Sequence, residues 1–375
     1  MLPMAIDNQR RRLIKWAGRG LVASPMLAPT LVSGMSSSVA ALRDGDLKPQ
    51  VIGCGIQSQD RYEAVVSDVF GQAIHRLPLP DRGHGVAVSG KHNQCAVFAR
   101  RPGSFAVILD FNRGENQQVI LASHNRHFYG HGDYSQDGRW LYATEGESHS
   151  SEGIIGVYDV HQQYQKVAEW RGFGIGPHEL KVLENGDLVV AVGGVHTQGR
   201  TPINLQTMQP NLSYLSSEGK LLEQVSLGDN KNSIRHLSST ADGTVFIGQQ
   251  YRGDPDEFVP LVAMHQRGKT LKHLHAEPEQ WARFRHYIAS IGVSKHHIVA
   301  TSPRGNCYGI WERETQDLLS INALPDASGV VVDQGCFFVS SGAGKVVKIN
   351  SDLTRQSYHS KIQWDNHWTE IAQMR

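Results

Sequence analysis

The stretch Gly174–Gly194, GIGPHELKVLENGDLVVAVGG, sets a histidine at the head of an apolar run, turns at Asn185-Gly186 and returns in a second apolar run. Strand, tight turn and strand make a β-hairpin, the turn glycine supplying the positive backbone angles that side chains disfavour. The same order recurs in YGHGDYSQDGRWLYATEGE from Tyr129 and in RGHGVAVSGKHNQCAVFARRPG from Arg82, with turns at Asp137-Gly138 and Ser89-Gly90. A fourth copy runs from His236 as HLSSTADG, turns at Asp242-Gly243 and continues as TVFIGQQ.

Each hairpin is followed by a third strand-like run, such as FAVILDF, IIGVYDV or KVVKIN, and a fourth, such as QQVILA or QKVAEW. Four strands in roughly 40 to 55 residues is the size of a propeller blade, of the broad WD40/YVTN-like repeat type. Two further units open on serine: ASIGVSKHHIVATSPRG puts Ser290 at the histidine position, and ASGVVVDQGCFFVSSGAGK puts Ser328 there. A last one, WDNHWTEIAQM from Trp364, restores the histidine at His367 but supplies only one strand. Its missing partners are VIGCGIQ, YEAVVSDVF and AIHRLPL between Gln50 and Leu79, three strands with no inner strand before them. The reading is an all-β, seven-bladed propeller closed by joining the N-terminal strands to the C-terminal one, which removes the exposed edges that an open array would leave. Its seven inner strands start near residues 84, 131, 178, 236, 290, 328 and 367.

The chain has 375 residues, and 37 basic residues face 36 acidic ones, so no strong field draws it to nucleic acid or an anionic membrane. Residues 1–40 read as an export signal: a basic start, a modest apolar run and small residues at Ser38 and Ala40. Arg10, Arg11, Leu13, Ile14 and Lys15 fall where a twin-arginine signal has them, and Arg19, Pro25 and Pro29 interrupt the run too early for a spanning helix. The expected organisation is a signal at 1–40 and a single propeller domain over 41–375, in the periplasm, with no transmembrane segment in the mature chain. Cys54, Cys95, Cys307 and Cys336 lack the spacing of a zinc, redox or c-type haem site and sit in strand-like surroundings, as buried thiols do.

In a propeller the first strand of each blade lines the central channel, so the strand-start residues ring one mouth. His84, His131, His178, His236 and His367, completed by Ser290 and Ser328, occupy that ring. Loops on the same face add Arg100, Arg101, Glu145, Glu147, Arg200, Gln249, Tyr251, Arg252, Arg304 and Ser341. Neutral imidazole is a common transition-metal ligand, which makes His131, His178 and His236 metal candidates for iron, copper or zinc, with Glu145, Glu147 or Glu179 as oxygen donors. A wider ligand set adds Arg200, Arg235, Gln249 and Arg304 to the histidines, because a guanidinium fork suits anions. The structural alternative is that each histidine ties neighbouring blades through both ring nitrogens. About seventeen extra residues, VHTQGRTPINLQTMQPNL, lengthen one blade loop and read as ordered, with Met208 packing it. No nucleophile elbow, phosphate loop or HExxH run is present in the sequence.

EGIIGVYDV, GFGIGPHEL, RTPINLQTMQPNLSYL, SIRHLSSTADGTVFIGQQYRGDP, IVATSPRGN, SSGAGK and the closing WDNHW together resemble the bacterial family catalogued as domain of unknown function 1513, across about Val51 to His367. That resemblance implies an exported seven-bladed propeller, encoded beside imelysin-type lipoproteins and di-haem peroxidase-like proteins, and hence a part in periplasmic iron handling. It brings no catalytic residue set. The expected role is a binding or scaffold component in iron- or haem-related envelope processes, with a periplasmic protein or small anionic ligand as partner. Its rivals are a metal-dependent oxidoreductase or hydrolase at the same mouth, and a pure protein interaction platform.

Overall fold

The computed structural model describes residues 48–371, so the signal-like segment 1–40 lies outside the described residues. Seven four-stranded antiparallel sheets stand around one axis. Their innermost strands are Gly83–Val88, Arg126–Tyr134, Pro177–Val182, Asn232–Ser239, Ser290–Val293, Ala327–Asp333 and Gln363–Glu370. All seven expected starts fall on them. Six sheets use four strands in chain order, while Val51–Ser58, Arg61–Ser67 and Ala73–Leu79 take Gln363–Glu370 as their fourth. Among the described residues no helix is long and apolar enough to cross a membrane.

Alternating apolar residues point from both faces of each sheet into the gaps between blades, and each gap holds its own apolar cluster. Ile52, Ala64 and Val66 pack on Val86, Cys95 and Val97 on one side of the sheet that unites the chain ends. Val51, Val65, Trp364 and Trp368 pack on Val331, Phe338 and Val346 on its other side. The core is thus a ring of seven similar layers with a polar axis. The four cysteines are unpaired, and only Cys336 reaches partial exposure.

Regular pairing would point the side chains of these strands at the two faces of the sheet, toward the neighbouring blades. Six of the seven innermost strands break register at or beside the axis residue instead. The ladder jumps from Gly83 to Val86 past His84, from Phe128 to Gly132 past His131, and from Pro177 to Leu180 past His178. It jumps from Ile234 to His236 past Arg235, from Ala327 to Val330 past Ser328, and from Trp368 to Asp365 past His367. Only the strand opening at Ser290 pairs without a break. A bulge re-aims the side chain it carries, which is how these residues leave the ladder for the axis.

The long loop after Leu188–Val192 is ordered, as expected. It folds as a two-stranded ribbon, Thr197–Gln198 with Thr201–Pro202, and a short 3-10 turn at Leu205–Thr207. Ser151 anchors it, meeting His196 Nδ1 at 2.9 Å and the Thr197 amide at 3.1 Å, and Met208 is buried beneath it.

Candidate functional site

Bulges at His84, His131, His178 and His367 bring these imidazoles together inside the channel with His236, which stays in the ladder opposite Gly248. Ring centroids lie 4.7 Å apart for His84 and His131, 4.7 Å for His131 and His178, 4.8 Å for His178 and His236, and 4.6 Å for His236 and His367. His367 closes the group against His84 at 4.8 Å and His131 at 4.9 Å, and His84 stacks flat on His178 at 5.4 Å. Such packing requires backbone without side chains beside the rings. A Cβ on Gly85 would stand 2.6 Å from His131 Nδ1, and one on Gly130, whose φ is +103°, would stand 2.6 Å from His84 Cδ2.

The cluster is deeper than a ring around the mouth. It separates a cavity of about 230 Å³ on the side where the inner strands begin from one of about 360 Å³ where they end, and His236 and His367 border both. His178 is half-buried and the other four are buried. Burial pushes all five toward the neutral form, with the neighbouring imidazoles adding to the effect on His84, His178 and His367. His131 is lowered to about 3, by burial first.

Of the five rings only His236 has a blade-to-blade hydrogen bond among the described residues, through Glu179. His84 Nδ1, His131 Nε2 and His367 Nε2 are buried without a hydrogen-bond partner. Other ties come from hydroxyls one strand further out: Thr144 Oγ1 reaches the carbonyls of His131 at 3.0 Å and His178 at 2.9 Å, and Thr301 Oγ1 donates to the carbonyl of Ser328. Of the ring nitrogens, His236 Nδ1 faces Glu179 Oε2 at 3.3 Å. Glu179 Oε2 also accepts the Leu237 amide at 3.2 Å, and its Oε1 lies 3.2 Å from Lys181 Nζ. Burial works to raise the Glu179 carboxyl, but Lys181, His131 and His236 together hold it well below the usual carboxylate range.

Two groups of three place their ligand nitrogens within 4.8 Å of one another: His84, His131 and His178, and His131, His236 and His367. The three metal candidates from the sequence, His131, His178 and His236, all belong to the cluster, but the nitrogens group them differently and His131 is common to both sets. Glu179 stands against the cluster. Glu145 does not: its carboxylate accepts from Tyr158 Oη at 2.6 Å and pairs with Lys166 Nζ at 2.6 Å, pointing along the blade toward its outermost strand. Glu147 is likewise outside, held by Ser150 and Arg126.

Arginines form a second layer at the side where the inner strands begin. Arg235, in its bulge, is 4% exposed, and Gln249 on the adjoining strand is fully buried. Burial, then the charges of Arg101 and Arg252, lowers Arg235 to about 9. Burial, then Arg82 and Arg200, lowers Arg100 to about 10. Arg200 sits exposed at the tip of the ribbon, and Arg304, also exposed, lies over the Tyr287 ring at 4.4 Å. Arg82 alone in this layer has an acid of its own, meeting Asp365 through Nε at 2.6 Å and Nη2 at 2.7 Å.

Arg82, Asp365, Tyr287 and Lys181 were not singled out from the sequence. One signal was available: Arg82, Tyr129, Asp326 and Asp365 each stand two residues before the axis residue of their blade. Three of them, Arg82, Asp326 and Asp365, line the cavity on that side.

Fold and site define a seven-bladed propeller whose axis is filled by a buried polyhistidine cluster under an arginine layer. The chain belongs to the family described as "Protein of unknown function (DUF1513)", whose model matches residues 77–371. Among solved structures it is similar to Kuenenia stuttgartiensis hydrazine synthase, at 13% identity and a TM-score of 0.57 over 82% of this chain and 91% of that one. At that identity the likeness is one of fold. No curated protein matches the chain in sequence.

Proposed function

We propose that the protein is an exported binding component whose channel holds a transition-metal ion on the histidine cluster, serving iron- or haem-related processes in the periplasm. The observation that carries the reading is the set of buried, unpartnered ring nitrogens on His84, His131 and His367, within two groups whose ligand atoms lie inside 4.8 Å. A buried polar nitrogen without a partner is costly, and a metal ion is a partner that several nitrogens share. Neutral imidazole is the ligand form, and burial keeps these rings neutral through the range where a free histidine begins to protonate. All-imidazole donor sets suit iron, copper and zinc. Glu179 supports the set by orienting His236 through Nδ1, as carboxylates orient metal-bound histidines elsewhere. The signal-like residues 1–40 support the periplasmic placement.

Elemental analysis of the protein purified from a periplasmic fraction tests this reading. Near-stoichiometric metal is expected in the wild type, with loss of at least nine-tenths of it in His131→Ala, the residue common to both groups, and in the double variant His178→Ala/His236→Ala. Metal-free protein that also fails to take up iron, copper or zinc on titration overturns the metal site and leaves an interaction platform. Recovery of the chain only from cytoplasm overturns the export.

A further inference from the structure

Next to the histidines, the channel carries cations that face no acid. Arg101 Nη1, Arg235 Nε and Nη2, and Arg252 Nε are buried without a hydrogen-bond partner, and so are both amide atoms of Gln249; the buried Tyr129 hydroxyl beside them faces Ser151. Among the described residues none of these three arginines forms an ion pair, whereas Arg82 beside them is held by Asp365. The groups belong to one place. Arg235 is the bulged residue beside Ile234, which pairs with Gln249, and Arg252 directly follows the strand Thr244–Tyr251 that carries Gln249. Arg101 lies over the Tyr129 ring at 5.9 Å, and its charge bears on both Arg235 and Arg252. Gly193 leaves the room: a Cβ there would stand 3.2 Å from Arg235 Cζ.

Desolvating a guanidinium is expensive, and at neutral pH the group keeps its charge. Three such groups within reach of one another also repel. A lone buried arginine could be excused as a packing residue, but a convergent set with free N–H donors, an amide and a hydroxyl has the composition of a receptor. We infer that Arg101, Arg235 and Arg252, with Gln249 and Tyr129, bind a small oxyanion through its carboxylate or phosphate oxygens. The number of guanidinium groups calls for a ligand carrying two or more negative charges. Arg235 and His236 are consecutive, so this anion sits directly against the histidine cluster, and the site stands whether or not those histidines hold metal.

The test is calorimetric titration of EDTA-treated, metal-free full-length protein with citrate and, separately, with inorganic phosphate, sodium chloride keeping the ionic strength constant. Saturable one-to-one binding of at least one probe is expected, and the tighter of the two names the oxygen chemistry as carboxylate or phosphate. Arg235→Met and Arg101→Gln should each weaken that binding at least tenfold. Arg235→Met should also raise the thermal midpoint of the anion-free protein, because an uncompensated cation is removed; a structural arginine would lower it. Should Arg235→Met fail to fold, Arg101→Gln carries the test. Absence of saturable binding of both probes overturns the inference, as does binding unchanged in Arg101→Gln. Metal uptake retained in Arg235→Met, and anion binding retained in His131→Ala, separate this site from the metal site.

Discussion

Arg235 and His236 are neighbours in the chain and equally hidden, yet burial does opposite things to them. An imidazole escapes the penalty by giving up its proton, so the histidine layer becomes neutral and rich in donor nitrogens. A guanidinium has no such exit at neutral pH, so the arginine layer stays charged and rich in N–H groups. One layer is therefore complementary to a cation and the other to an anion. The two proposed sites of opposite sign meet at the bulge that lifts Arg235 out of the ladder beside His236.

Acid should separate the layers most strongly. The folded-state values of the five histidines lie below the free value of about 6.5, so between those values the unfolded chain binds protons that the folded chain refuses. Stability from this source is full above about pH 6.5 and is lost as pH falls toward 3. Each histidine contributes up to about 1.4 kcal/mol per pH unit, so the ceiling on the fall from pH 6.5 to 5 is on the order of 10 kcal/mol for the five. Urea unfolding of metal-free protein across that range measures it, and His131→Ala should flatten the slope. A level profile from pH 7 to 5 would mean that these rings are not buried together.

A smaller effect contrasts arginines within one layer. Arg82 bridges the first blade to the C-terminal strand, and its partner Asp365 keeps only 9% of its side chain exposed. Arg82→Met leaves that carboxylate buried and alone, which should cost about 2 kcal/mol, below the range for fully buried pairs because Arg82 is itself a third exposed. Arg235→Met has no acid to abandon and should move stability the other way. Two Arg→Met changes in one layer, with opposite signs in the same thermal melt, sharpen the distinction. A shared sign would remove it.

How much of this was legible depends on what each feature leaves in the sequence. Hairpins announce themselves through Asn185-Gly186, Asp137-Gly138 and Asp242-Gly243, because positive backbone angles select glycine. The strand beginning near His367 could be assigned to the N-terminal sheet because Val51–Leu79 lacks an inner strand. The depth of the histidines was hidden, since a bulge has no residue signature and a one-residue shift exchanges the two faces of a strand. The same parity problem misplaced Glu145: its neighbour Thr144 turns toward the inner strands, so Glu145 turns to Lys166 and Tyr158. Arg82 and Asp365 carry a long-range pair, across 283 positions, that no local pattern contains.

The finest comparison sets histidine blades against serine blades through their hydroxyl ties. Thr144 fixes the backbone at His131 and His178, while Thr301 fixes it at Ser328 and lies 3.4 Å from the Ser290 carbonyl. The two threonines are equally buried and make the same kind of bond, so Thr144→Val and Thr301→Val should each cost about 1 kcal/mol of stability. Metal affinity should divide them. Loosening Thr144 frees two bulges that aim ligand rings and should weaken metal binding several-fold, whereas loosening Thr301 touches a bulged serine and an unbulged one. Equal loss of affinity in both variants would place the ion, if one binds, under control of the whole ring rather than of the histidine blades, and would make the serines its ligands' equals in positioning it.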